Sequence, residues 1–250
     1  MSTGSIYDLK AFYDSRSGRL VRRILLDHLI PMWPDVKGLR VVGCGYATPY
    51  LRPYMKDAER VIAVMPARLG ARVWPRHEKN LVCLAEESEL PLETESVDRI
   101  LLVHSVEHAE ILSPNLQELW RVLKSSGRII VVVPNRLGFW ARADWSPFGQ
   151  GQPFSASQIV QLFRDHSFVH ERTERALFLP PVRTFLMLRT FWFMERIGAR
   201  IMPGLCGLHI AEFSKQLYAG TTVSQTAKVK IRGRRILVPN ALSGGRREQG

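Results

Sequence analysis

Residues 39–50, LRVVGCGYATPY, constrain this chain more than any other stretch. An apolar run, Leu39–Val42, stops at Gly43-Cys44-Gly45. Such a run reads as a buried strand that turns tightly into a helix, because glycine accepts turns and close approaches that a Cβ forbids. Strand, glycine turn and helix N-terminus together suit the carboxylate or phosphate of a nucleotide-like cofactor. A tight strand-to-helix turn can also need glycine for packing alone, so the rest of the chain has to separate the two readings.

The same alternation repeats downstream. Arg60–Met65 reads as a second buried strand closed by Pro66, Asn80–Leu84 as a short third, and Asp98–Val103 as a fourth. Gly127–Val133 is an unbroken apolar run of the kind buried on both faces. Helices are expected over 5–32, ended by Pro31 and Pro34, over Thr48–Met55, and over Ser113–Leu123 behind Ser113-Pro114. Ser155–Asp165 carries a capping box at Ser155 and Gln158. Phe168–Leu179 and Leu208–Tyr218 read as late strands around a helix, Arg183–Ile201. Strands alternating with helices at this spacing specify βαβ units and a largely parallel sheet.

At 250 residues, with 46% hydrophobic and 23% charged, the chain can bury the core of one α/β domain. Three widely spaced cysteines, Cys44, Cys83 and Cys206, argue against a disulfide framework and for a reducing compartment. The N-terminal residues hold no apolar signal core and no 18-residue stretch is free of charge, so a cytoplasmic protein without a membrane span is expected. The net charge of +12 is uneven, since Lys228–Gly250 holds seven Lys or Arg against Glu248. That basic tail, residues 221–250, is expected to be flexible, and suits either a solvated segment that aids solubility or contact with an anionic surface. Lipid headgroups rank above nucleic acid there, because no aromatics are interleaved.

Three segments then fall into one order: GCG after the first strand, LPLETESVDRILLVHSVEH around the fourth, and LQELWRVLKSSGRIIVVVPN around the fifth. Over about residues 38–170 they resemble the type 11 group of class I S-adenosylmethionine-dependent methyltransferases. The resemblance implies an α/β, Rossmann-like fold: a seven-stranded, mostly parallel sheet with helices on both faces and an antiparallel last strand. It implies a domain over 38–220, with 1–37 closing over the site through Tyr7 and Tyr13. It also implies S-adenosylmethionine as cofactor and a small-molecule or lipid-like methyl acceptor. Gly43, Gly45 and the backbone after Tyr46 would cradle the methionine part, and Glu86 and Glu87 would reach the adenine. Met65 stands where the ribose is held, and His104 would face the reacting sulfonium.

Two positions depart from that group. It usually has an acid two residues before the first glycine, here Val41, and an acid on the ribose, here Met65. Ala47 replaces the third glycine. One lost charge-assisted hydrogen bond is worth about 1.5–3 kcal/mol, so a non-catalytic binding or regulatory protein on the same fold is the alternative.

His104, Glu107 and His108 form HSVEH. His104 at a strand end breaks the helical spacing of a paired-histidine site, so no metal is expected. Glu107 and His108 read as structural contacts, with His104 or His108 as a candidate general base. Asn135, Arg136 and Trp140 follow the fifth strand, where open α/β sheets admit substrates. On a helix over Arg183–Ile201, Arg189, Arg196 and Arg200 would fall within about 40° of one another. Set against a wide apolar arc, they suit either packing or a membrane surface.

Overall fold

The computed structural model describes residues 5–181, 195, 197–198 and 200–216. Met1–Leu217 form one compact unit. Most of the helix expected over 183–201 and the whole tail 221–250 lie outside the described residues.

The expected N-terminal helix is two helices, α1 (Ile6–Asp14) and α2 (Arg16–Met32). Ser15 breaks it: its backbone is extended and its hydroxyl accepts from the Gly18 N–H. A Cβ on Gly18 would collide with the Phe12 carbonyl, so the second helix starts hard against the first. Pro31 sits inside the last turn of α2 instead of ending it.

Strand β1 (Arg40–Gly45) leads to a four-residue helix, α3 (Thr48–Leu51), which tightens into a 3₁₀ turn over Arg52–Lys56. Pro53 cannot donate to an α-helical ladder, which accounts for the change. Strands β2 (Arg60–Pro66), β3 (Val82–Ala85) and β4 (Val97–Val103) follow. The link from β2 to β3 holds one 3₁₀ turn, Ala67–Leu69, where a crossover of this kind usually carries a helix. Helix α4 (Leu112–Val122) passes directly into β5 (Leu123–Pro134), and Ser113 makes no cap at its start. Helix α5 (Ala156–Asp165) carries the expected capping box of Ser155 and Gln158. Strands β6 (Phe168–Ala176) and β7 (Leu208–Lys215) end the described chain.

The sheet has seven strands in the order β3-β2-β1-β4-β5-β7-β6. The first four pairings are parallel, and β7 runs antiparallel between β5 and β6. One face buries α1, α2 and α3 against Val41, Met65, Leu101 and Ile130. The other buries α4 and α5 against Val42, Cys44, Ile100 and Val131. Neighbouring residues of β1, β4 and β5 thus enter opposite cores, which is why those runs are apolar without alternation. Strand β7 is buried at every position, although His209, Glu212, Ser214 and Lys215 interrupt it. Each is partnered: Glu212 accepts from Trp33 and Arg172, and the Lys215 ammonium donates to the Leu123 and Trp120 carbonyls. No helix among the described residues is long and apolar enough to cross a membrane.

Candidate functional site

The carboxyl ends of β1 and β4 meet at Gly45. Its φ is +77°, and a Cβ there would run into the Val103 carbonyl and stand 2.8 Å from that of His104. The bare glycine lets β1 close onto β4, and the Tyr46 N–H donates to the Val103 oxygen at 2.7 Å. Gly43 serves another neighbour, since its Cβ would lie 2.7 Å from Ala47 Cβ and Leu51 Cδ1, so it seats α3. Both glycines therefore have a packing reason, and they bring Tyr46 to the same edge as His104.

His104 is fully buried at the end of β4, with φ +53°. That left-handed turn and a 3₁₀ turn over Val106–His108 swing Glu107 and His108 back onto it. Glu107 Oε1 lies 3.1 Å from His104 Nδ1, and ligand atoms of all three residues fall within 4.8 Å of one another. Sequence spacing suggested separation, and the positive φ overturns that expectation. From the far side, the Tyr13 hydroxyl of α1 reaches His104 Nε2 at 2.9 Å, and the Tyr50 hydroxyl donates to Tyr13 at 3.0 Å. Because Tyr13 receives from Tyr50, its own proton goes to Nε2. Nδ1–H then donates to Glu107, a tautomer assigned from the network. Phe148 lies over the imidazole at a centroid distance of 4.7 Å, and Tyr46 stacks on Tyr13 at 5.5 Å. The other oxygen, Glu107 Oε2, is buried with no hydrogen-bond partner among the described residues.

Burial sets the electrostatics of this network. It pushes the Tyr13 phenol well above its usual value, with help from Tyr50. Burial is the largest single influence and works to raise the Glu107 carboxyl, but the hydrogen bond and attraction of His104, joined by His108 and a backbone hydrogen bond, together outweigh it and hold the group below the usual carboxylate range. Burial depresses His108. Tyr7, expected to close over the site with Tyr13, is 75% exposed and takes no part in this network.

The carboxyl ends of β2 and β3 are built otherwise. Met65 is buried and brings no acceptor. Glu87 is buried, with one oxygen accepting from Arg68 at 2.6 Å and the other from the Ser105 hydroxyl at 2.7 Å. Glu86 is exposed and bridges to Glu89. Arg68 is thus the counter-ion of the acidic loop.

Beside both ends lies a cavity of about 460 Å³, lined among others by Tyr13, Tyr46, Thr48, Met65 and Trp74. The three residues expected to bind an acceptor do not meet there. Asn135 is buried and donates to the Gly204 and Cys206 carbonyls. Trp140 is core, its indole N–H donating to the Leu179 carbonyl at 2.6 Å. Arg136 lines a separate cavity with residues of α5. Tyr50, Ser105 and Phe148 were not legible as site residues, since each lies in an ordinary apolar or loop context and arrives only by packing.

The cavity chemistry fits the amino-acid end of S-adenosylmethionine. Lys10 and the Thr48 hydroxyl line it as donors for a carboxylate, and Glu107 Oε2 is a buried acceptor left free in the adjoining network. The ribose finds no acceptor at Met65.

Comparison with known proteins agrees with this geometry. Residues 41–131 match the sequence model of the methyltransferase domain family. Two curated proteins, probable S-adenosylmethionine-dependent methyltransferases from two strains of Mycobacterium tuberculosis, are 33% identical over 115 residues. That match spans 45% of this chain and 42% of those relatives. In fold, the chain superposes on an S-adenosylmethionine-dependent methyltransferase from Mesorhizobium loti with a TM-score of 0.56 at 13% identity, covering 76% of this chain and 96% of that one. The TM-score is 0.59 at 17% identity to a Haloferax volcanii chain held in complex with the Trm112 methyltransferase activator, covering 86% of this chain and 100% of that one.

Proposed function

We propose that this chain, which carries a class I S-adenosylmethionine-dependent methyltransferase domain, transfers a methyl group from S-adenosylmethionine to a small-molecule or lipid-like acceptor. One observation carries the reading: the stretch matching the domain family, 41–131, contains both Gly45 and His104, which meet at one sheet edge. When bound, the cofactor supplies an electrophilic methyl group on a sulfonium.

The chain's part is alignment, exclusion of water and proton removal. An in-line displacement gains most from fixed geometry, and the β1–β4 edge, closed at Gly45 and roofed by Phe148, is the rigid element that provides it. For a weakly acidic acceptor, His104 Nε2 takes the proton while Nδ1–H stays on Glu107, which steadies the resulting imidazolium. The Tyr13 hydroxyl now sits at Nε2, so α1 has to yield that position to the acceptor.

Calorimetric titration with S-adenosylmethionine and S-adenosylhomocysteine tests the reading, with Gly45→Arg as control. Micromolar binding abolished in the control is expected. No binding at millimolar ligand would favour the non-catalytic alternative. The basic tail and the arginines of 183–201 support contact with an anionic membrane surface, and the proposed location is cytoplasmic. Liposome binding lost on replacing Arg189, Arg196 and Arg200 by Ala would agree, and no binding by the parent protein would end that part of the proposal.

A further inference from the structure

The cavity beside His104 carries more positive charge than one cofactor carboxylate requires. Arg22 of α2, Arg52 after α3, and Arg72 and Arg76 of the β2–β3 loop all line it. Among the described residues none of these four is in an ion pair. The acids in the lining are Asp14, already paired with Lys10 at 2.9 Å, and Glu78. The charges act at the mouth of the cavity: exposed Asp14 is held below the usual carboxylate range by its hydrogen bond to Lys10 and by the charges of Lys10, Arg72 and Arg76.

Such a site repels a sulfonium unless an anion accompanies it. With Lys10 paired to Asp14, the methionine carboxylate can take the Thr48 hydroxyl and one of these guanidinium groups, and the others, drawn from three segments, have no ion pair among the described residues. A planar guanidinium pairs with phosphate through two parallel hydrogen bonds, and several arranged around one cavity suit a dianion better than a carboxylate. The remaining walls, Met65, Tyr46, Trp74 and Pro75, are apolar or aromatic. The volume of about 460 Å³ lies in the range of small-molecule sites.

We infer that this cavity takes a phosphate-bearing methyl acceptor, its phosphoryl group held among Arg22, Arg52, Arg72 and Arg76 and its organic part against Trp74 and Tyr46. The word acceptor rests on the methyl-transfer reading, whereas the phosphate site does not. The negative group would also offset the repulsion between the arginines and the sulfonium, so the two ligands favour each other's binding.

Calorimetry on the full chain tests this with inorganic pyrophosphate, alone and with saturating S-adenosylhomocysteine. One site is expected, retained when the thioether is bound and weakened about tenfold or more in Arg72→Gln/Arg76→Gln. Arg164→Gln, on the exposed side of α5, leaves it unchanged. Because the thioether lacks the sulfonium charge, S-adenosylmethionine should tighten pyrophosphate binding more than it does. No heat with pyrophosphate overturns the inference, as does an equal loss in Arg164→Gln. Competition with the thioether also overturns it, and would reduce the arginines to a cofactor carboxylate site. Pyrophosphate binding without any thioether binding would sink the methyltransferase reading and leave the phosphate site standing. Vesicles of phosphatidylcholine with and without phosphatidate separate a lipid phosphate from a soluble one, the same double variant losing whichever interaction is present.

Discussion

The two ends of one sheet edge are built on opposite principles. At β1 and β4, glycine removes every obstacle to close approach, and a fully buried chain runs from Tyr50 through Tyr13 and His104 to Glu107. At β2 and β3, an apolar Met65 and an ion pair between partly exposed Arg68 and buried Glu87 accompany a loop without an α-helix, with arginines at the cavity rim. The first region holds a proton position in a dry site, where each hydrogen bond matters because its loss leaves a buried polar atom bare. The second presents charge to incoming ligands, where solvent weakens each pair. On the proposed function, the chemistry falls at the first end and ligand selection at the second.

Substitutions at the two ends should therefore differ in size. Gly45→Ala is expected to cost the most, about 2–5 kcal/mol, combining left-handed strain with a collision against β4. A urea midpoint close to that of the parent protein would show that β1 can stand off from β4. Tyr13→Phe strands the Tyr50 hydroxyl and His104 Nε2, at a cost of about 2 kcal/mol, or about 4–8 °C in Tm. An unchanged melting curve would mean that water takes the place of the phenol and that the region is not dry.

Glu107→Gln carries a pH signature. The folded carboxyl lies below its usual range, so its contribution is complete above the unfolded pKa of about 4.3 and fades as pH falls through the lower folded value. The parent should lose stability below about pH 4.3 more steeply than the Gln variant. Parallel acid-unfolding curves would remove the charge from the His104 pairing. Arg68→Gln at the other end should cost about 1 kcal/mol, because Ser105 still serves Glu87 and the pair is partly solvated. A loss as large as that of Tyr13→Phe would erase the contrast between the ends. Met65→Asp sharpens it in binding: an acceptor at the end of β2 should raise affinity for S-adenosylhomocysteine about tenfold. Unchanged affinity would place the ribose elsewhere.

The strand order was legible because apolar runs, glycine turns and loop lengths are local signals, and β1, β2, β4 and β5 stand close to where those signals put them. The N-terminal helix reads as continuous because its apolar spacing runs through the break, although the break itself is local: Ser15 caps the Gly18 N–H and Gly18 packs on Phe12, all within seven residues. The HSVEH residues were legible as chemistry, but their convergence was not, since it depends on one positive φ at His104. Asn135 and Trp140 looked like an acceptor site from their place after β5, yet both face inward to hold the 135–154 loop and the 176–181 segment.

By itself the sequence determined the α/β class, the glycine turn after β1, and the absence of an acid at Val41 and Met65. These follow from side-chain size and polarity along a short stretch of chain. Only the tertiary structure decided that Tyr13 rests on His104, that Arg68 is spent on Glu87, and that four other arginines line one cavity with no ion pair among the described residues. Those outcomes join residues up to 91 positions apart, and such distant groups are paired by the packing of whole elements onto the sheet.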